Sequence, residues 1–364
     1  LRYCKNVIGC HIKINKDQFM LSRWKRLQFD YKRGRGHMLS YLKNRFYWYY
    51  IPKLKRVLDF PDHVDLEISS VCNLRCPMCY TLTGEFDELV KKKFMDLKLF
   101  KRLVDECADE GVYSIRLSLR GEAFLHKNVI EMIQYAKDKG IKEIASLTNL
   151  YSLKPEIFEA AMKAGLSWLT ISFDGLGKMY ESVRAPAKFE EMYERIKEFK
   201  RIKDRHNSIK PVIQIQTLWP AIKDDPMAYY NAFEPYVDSI ASNPLIDYLH
   251  NDAENQIEYE ENLTCPVLFQ RLVVGSDGKV LLCSNDEMGK YIIGDANNET
   301  LKQIWHGKRL NQARKMHIEH RGYKQISCCK ECFLPRKTES VLEDFGDTKI
   351  KVEKYAGRTE VIGK

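Results

Sequence analysis

Three cysteines within eight residues carry the most specific chemistry in this chain: Cys72, Cys76 and Cys79, spaced Cys-x3-Cys-x2-Cys in CNLRCPMCY, directly after the strand-like run Val64 to Ser70. Three thiolates offered from one short loop can hold three irons of a [4Fe-4S] cube and leave the fourth without a protein ligand, open for a small molecule to chelate. A zinc knuckle or a structural thiol cluster is the alternative. Zinc sites usually close with four protein ligands, however, and neither a His nor a fourth Cys lies within the loop.

Followed by the aromatic Tyr80, this motif on the loop after a first β-strand resembles that of the radical S-adenosylmethionine (radical SAM) enzymes. The resemblance implies that the methionyl amine and carboxylate of SAM chelate the open iron. One electron then cleaves SAM to methionine and a 5′-deoxyadenosyl radical, which takes a hydrogen atom from substrate. It also implies that Tyr80 lies against the adenine, and that a flavodoxin- or ferredoxin-type donor supplies the electron.

The residues that must position this loop read as alternating strands and helices with short connections, the pattern of βα units around a parallel sheet. Strands are expected at Tyr113 to Leu119, Glu143 to Leu147, Trp168 to Phe173, Pro211 to Leu218 and Val237 to Ala241, with helices between them. With the first strand that makes six, too few to close an eight-stranded barrel. The fold class expected is α/β, a partial (β/α)6 TIM-like barrel with functional residues at the strand C-terminal ends. The strand ends then gain meaning. Arg120-Gly121-Glu122 stands where the family usually shows Gly-Gly-Glu and then Pro, so Gly121 and Glu122 match, while Arg120 and Ala123 depart. By the resemblance, Glu122 neighbours the SAM ammonium, and Thr148, Asn149 and Ser172 occupy positions of ribose and carboxylate contacts. Taken singly, a Ser or Asn after a strand is more often a turn former.

A second thiol set follows. Cys265-x17-Cys283 brackets a hairpin whose strands alternate around Gly275-Ser276-Asp277-Gly278, and Cys329-x2-Cys332 comes after a helix beginning at Leu301. Four thiolates can close a cluster with no open iron, or a Cys4 zinc site. The set resembles the SPASM/twitch extension of radical SAM enzymes in its single-cluster form, and looks like the twitch of aminocyclitol dehydrogenases; that implies a second, auxiliary [4Fe-4S] cluster. Cys328 can swap with Cys329 as ligand. Cys107 reads as a buried, inert thiol, and Cys4 and Cys10 have no partner at ligand spacing.

At 364 residues with 44% hydrophobic and 30% charged side chains, the composition is that of a soluble globular protein with no apolar run approaching a membrane span. No signal peptide is seen, and eleven cysteines in cluster-like spacing point to a reducing cytoplasm rather than a disulfide scaffold. The net charge of +9 is uneven: residues 1 to 57 hold fifteen Lys and Arg against Asp17 and Asp30, a net of +13, which leaves the remainder at about −4. Basic residues interleave there with Phe46, Tyr47, Trp48 and Tyr49. Such an arm suits a helical segment packed by its aromatics, a phosphate-bearing or anionic membrane surface contact, or, least well, nucleic acid.

The organisation expected is a basic aromatic arm (1–60), the partial barrel (61–260), a SPASM/twitch domain capping its open mouth (261–335) and a polar tail (336–364). The function expected is radical oxidation of a small-molecule or carrier-linked polar substrate, such as a sugar or an aminocyclitol, with the auxiliary cluster accepting an electron. A peptide-modifying maturase is the alternative enzyme, and an Fe–S protein that binds nucleic acid or membrane without turnover is the non-enzyme alternative. No general base is named; Arg184 and Asp286 are only near the motifs.

Overall fold

The computed structural model describes residues 10–13, 17–18, 23–243, 245, 258–260, 262–345, 348–355 and 362. Two short strands, β1 (Cys10–Lys13) and β2 (Asp17–Gln18), precede helices α1 (Arg23–Gly34) and α2 (Met38–Tyr50). The repeating part follows as β3 (His63–Leu66), α3 (Gly84–Leu89), α4 (Leu97–Asp109), β4 (Ser114–Arg116), α5 (Val129–Asp138), β5 (Glu143–Thr148) and α6 (Pro155–Ala164). It continues as β6 (Trp168–Ser172), α7 (Gly177–Val183), α8 (Phe189–Arg205), β7 (Val212–Leu218), α9 (Pro226–Phe233) and β8 (Ser239–Asn243). Local chemistry sets these bounds. Asp96 caps α4 by accepting from the Lys98 and Leu99 amides, and Phe100, Leu103, Val104 and Cys107 form its buried stripe. Pro155 opens α6, and Gly165 at φ 112° closes it in the left-handed region.

Strands β3 to β8 pair in parallel and in sequence order, and the sheet does not close: the fold is α/β, a partial barrel. The C-terminal third contributes β9 (Arg271–Val274), β10 (Lys279–Leu281), β11 (Ile292–Asp295) and helices α10 (Leu301–Trp305), α11 (Lys308–Ile318), α12 (Gly322–Gln325) and α13 (Ser327–Glu331). β9 lies parallel to β3, Val64 opposite Leu272, so the sheet runs β11-β10-β9-β3-β4-β5-β6-β7-β8-β2. The hairpin of the C-terminal third thus prolongs the barrel sheet at the β3 edge. A six-stranded parallel sheet leaves the edge of β3 unpaired, and β9 takes up those hydrogen bonds. One apolar core runs through both parts, from Val64, Ile144 and Ile215 to Leu272, Ile293 and Trp305.

Both ends of the chain hold regular structure, the N-terminal arm in the helical, aromatic-packed form that is one of those expected for it. Residues after 336, expected as a polar tail, include two strands: β12 (Thr338–Phe345) and β13 (Thr348–Tyr355) pair antiparallel, and β1, which begins at Cys10, runs parallel to β13. Cys4 lies outside the described residues. Helices α1 and α2 cross the N-terminal ends of the barrel strands. Arg33 donates from Nε and Nη2 to the Glu143 carboxylate at 3.0 and 2.8 Å, with its guanidinium 3.9 Å from the Trp168 ring, at the starts of β5 and β6. Lys32 pairs with Asp238 at 2.5 Å, and Gln270 donates to the Trp48 carbonyl at 2.8 Å. Part of the basic arm is thereby used within the protein. Among the described residues no helix is long and apolar enough to cross a membrane.

Candidate active site

The cysteine loop leaves the C-terminal end of β3. It is pinned at its start by Ser70, whose hydroxyl donates to the Lys93 carbonyl and accepts from the Lys93 amide, and closed by a turn in which the Cys79 amide donates to the Cys76 carbonyl at 2.9 Å. Leu74, Cys76 and Met78 pack with Val183 and Leu245, which fixes the loop over the ends of later strands. Three polar side chains face the thiols: Thr81 Oγ1 lies 3.1 Å from Cys79 Sγ, and Arg184 and Asn149 reach the other two. Arg184 Nη1 lies 3.7 Å from Cys76 Sγ, and Asn149 Nδ2 lies 3.6 Å from Cys72 Sγ while donating to Asn73 Oδ1 at 2.8 Å. Burial pushes Cys76 up to about 11 despite Arg184, and raises Cys72 as well. Thiols in this position ionise when a metal cation supplies the charge that burial denies them.

Beside them Glu122 is 2% exposed. Its Oε1 accepts from the Phe124 amide at 3.1 Å and the Thr148 hydroxyl at 2.9 Å, and its Oε2 from the Asn149 amide at 2.7 Å. No cationic side chain forms an ion pair with it among the described residues, and burial pushes it up to about 7. A buried carboxylate held by three donors, with Arg184 near but not paired with it, fits an ammonium ligand. The neighbouring Gly121 has no room for a side chain, since a Cβ there would lie 2.5 Å from the Val71 carbonyl oxygen. Thr148 and Asn149 end β5 and hold Glu122 in place; Ser172 ends β6 and is buried. Tyr80 follows the third cysteine, its ring 5.7 Å from that of Phe86.

Arg120, where the family usually has Gly, has a job of its own. Its guanidinium makes a buried two-armed pair with Glu67, which follows β3, and its amide donates to Glu67 Oε1. Glu67 Oε2 also accepts from the Ser276 amide at 2.9 Å, and the hydroxyls of Ser276 and Ser70 meet at 2.9 Å. The turn between β9 and β10 is thereby tied to the segments on either side of the cysteine loop. Sequence reasoning missed this link; an acid at Glu67, between the apolar Leu66 and Ile68, with a basic departure at Arg120, is its signal.

The second thiol set gathers as its spacing suggests, with one addition. Cys265, Cys283, Cys328, Cys329 and Cys332 line a single cavity, together with His317 from α11. Burial and the neighbouring thiols push Cys265 up to about 12 and raise Cys283 too. Five crowded thiols, three of them on buried residues, fit a multi-iron cluster, whose cations would relieve their mutual repulsion. His317 Nε2 lies 3.5 Å from Cys329 Sγ, a neighbour that nothing in the sequence marked, and Asn285 donates to Cys332 Sγ at 3.4 Å. Neither residue weighed as a general base is free for that role. Burial alone would lower Arg184, but Asp174 and Cys76 raise it, and it stays a paired cation. Asp286 accepts from the Lys290 and Tyr291 amides at 2.8 and 3.0 Å, closing its own loop.

Comparison with known proteins agrees with this arrangement. The family model of the radical SAM superfamily matches residues 66–216, and that of the SPASM iron-sulfur cluster-binding domain matches residues 265–333. Among curated proteins, GTP 3',8-cyclase of Vibrio vulnificus (strain YJ016) is 29% identical over 132 residues, 36% of this chain and 39% of that one. GTP 3',8-cyclase of Aquifex aeolicus (strain VF5) is 35% identical over 112 residues, 30% of this chain and 34% of that one. The chain thus spans well under half the length of these curated relatives. Among solved structures, BtrN in complex with AdoMet and 2-DOIA has a TM-score of 0.52 at 18% identity, covering 76% of this chain and 94% of that one. Streptococcus suis SuiB bound to S-adenosylmethionine gives 0.54 at 14% identity, covering 77% and 74%. Native anSMEcpe with AdoMet and the Kp18Cys peptide gives 0.54 at 14%, covering 74% and 88%. At these identities the likeness is one of fold.

Proposed function

From a chain that belongs to the radical SAM superfamily and carries a SPASM cluster-binding domain, we propose an oxidoreductase that dehydrogenates a polar small-molecule or carrier-linked substrate, such as a sugar or an aminocyclitol. When bound, the open [4Fe-4S] cluster and SAM supply a 5′-deoxyadenosyl radical, and the auxiliary cluster supplies an acceptor for one electron. Held by Cys265, Cys283, Cys329 and Cys332, the auxiliary cluster would supply the acceptor for the electron left when a carbinol gives a hydrogen atom to the deoxyadenosyl carbon and its hydroxyl proton to solvent, so that the two-electron oxidation balances. A flavodoxin- or ferredoxin-type donor supplies the electron that starts SAM cleavage.

This chain's residues divide the work. Cys72, Cys76 and Cys79 would hold the open cluster, with Arg184 offsetting its negative charge. Glu122 would take the SAM ammonium, its carboxylate already oriented by Thr148 and the Asn149 amide. Cys265, Cys283, Cys329 and Cys332 would hold the auxiliary cluster, with Cys328 able to replace Cys329. The observation that carries the oxidative reading is the second set of thiols lining one cavity, two of them flanking a hairpin hydrogen-bonded into the barrel sheet and three at α13. The Glu67–Arg120–Ser276 link holds that hairpin at a fixed place relative to the cysteine loop, as electron transfer between the two sites requires. Likeness of fold to BtrN, solved with AdoMet and 2-DOIA, supports the substrate class. Likeness to anSMEcpe, solved with a peptide, keeps peptide modification as the second reading.

The test separates the two clusters. Anaerobic reconstitution should load about eight irons per chain. Cys76→Ala should abolish SAM cleavage, whereas Cys329→Ala/Cys332→Ala, once its circular dichroism and remaining cluster absorbance are shown to be intact, should keep uncoupled cleavage to 5′-deoxyadenosine and lose oxidised product. A folded double variant that still forms oxidised product at the parent rate would refute the electron-acceptor role and favour a redox-neutral reaction.

A further inference from the structure

Of the fifteen exposed large hydrophobic side chains among the described residues, ten lie between Trp24 and Val57. Their spacing is helical: Trp24, Leu27 and Tyr31 recur along α1, and Leu39, Leu42 and Phe46 along α2, in steps of three and four that put each set on one face. The opposite faces are already used. Phe29, Arg33, Tyr41 and Asn44 are buried against the barrel's N-terminal end. Both helices are therefore inverted relative to an ordinary surface helix, with an apolar stripe turned outward.

The exposed charge within this stretch has one sign, while Glu234 and Asp238 of the barrel pair with Lys25 and Lys32 of α1. Arg26, Arg35, Lys43, Lys53, Lys55 and Arg56 are exposed between residues 24 and 57. The one acid in that stretch, Asp30, is half-buried and accepts the Tyr41 hydroxyl at 2.6 Å. We propose that the outward face of α1 and α2 docks on an anionic lipid bilayer, with its Leu and aromatic side chains in the headgroup layer and its Lys and Arg on lipid phosphates. Leu, Trp, Tyr and Phe on one face with flanking cations are the composition of an interfacial helix. A second copy is a poorer occupant, because an isologous contact would set like charges face to face. Nucleic acid is poorer too, since the leucines offer no stacking surface. In the docked orientation the cysteine loop, at the opposite ends of the strands, faces the water. The inference rests on surface pattern alone and is independent of the reaction proposed above.

The full-length, iron-loaded protein should sediment with vesicles of phosphatidylglycerol and phosphatidylcholine. Its partition onto pure phosphatidylcholine vesicles, or in high salt, should be lower by about tenfold or more. Leu39→Gln/Leu42→Gln/Phe46→Gln changes only exposed positions; it should keep the parent circular dichroism and iron content while its vesicle binding falls by about tenfold or more. Lys53→Gln/Lys55→Gln/Arg56→Gln should remove much of the salt-sensitive part. Absence of binding to anionic vesicles, or binding that neither variant changes, overturns the proposal. So does a self-association, or an affinity for RNA or an acidic protein, that the apolar variant abolishes while vesicle binding is absent.

Discussion

At the residue scale the group to test first is Glu122, a carboxylate with three hydrogen-bond donors and, among the described residues, no ion-pair partner. Glu122→Gln keeps the shape and removes the charge. SAM affinity should fall by about 1.5–3 kcal/mol, or one to two decades, in a calorimetric titration, with iron content unchanged. The pH dependence follows from burial, which raises this group from 4.5 to about 7 in the folded protein. In the SAM-free protein its contribution to stability is full below the unfolded value of 4.5, declines as the pH rises, and is lost above about 7. An ammonium ligand prefers the ionised form, so SAM affinity should rise over the same interval, and the Gln variant should lack that rise. Equal SAM affinity of parent and variant across this range would remove Glu122 from the SAM site.

At the element scale the link between the β3 end, the β4 end and the β9–β10 turn deserves a direct test, because it joins the two halves through one buried ion pair. Arg120→Ala leaves Glu67 charged, 0% exposed and unpaired. Removing one partner of such a pair costs about 3–5 kcal/mol, which a urea melt reads directly. Glu67→Leu/Arg120→Met should recover part of that loss. Recovery stays partial because the Ser276 amide then lacks its acceptor. A melt of Arg120→Ala superimposable on the parent's would show that the hairpin is held by β-pairing alone. The same link explains why a motif that usually reads Gly-Gly-Glu tolerates an Arg here: the side chain runs toward β3 and the hairpin turn rather than toward Glu122.

At the scale of the whole molecule, the barrel has two ends with separate duties. Arg33, 6% exposed, pairs with Glu143 at the end away from the cysteine loop. Arg33→Ala should cost about 3–5 kcal/mol of stability. The rate of SAM cleavage per folded molecule should nevertheless match the parent's below the melting range, because no residue of the cysteine loop or of the Glu122 cradle touches that pair. A cleavage rate that falls with intact iron content and intact fold would show that α1 communicates with the site.

The sequence by itself determined the local chemistry and the order of elements. Three thiols at Cys72, Cys76 and Cys79 must lie close together, because the last follows the first by only seven positions of chain. Six apolar strands alternating with capped helices can only make a parallel sheet, because each crossover returns the chain in the same direction. Short-range signals such as the Asp96 cap, Pro155 and Gly165 set boundaries within a residue or two. The tertiary structure alone decided what lies far apart in sequence. β9 joins the free edge of β3, some two hundred residues earlier, because unpaired backbone groups at that edge accept any strand of suitable register. β12, β13 and β1 form a sheet from opposite ends of the chain for the same reason. Arg120 finding Glu67 and Ser276, Arg184 finding Asp174 and Cys76, and His317 finding Cys329 are likewise legible only in three dimensions. A buried charge must find a partner, but its sequence position does not say which one.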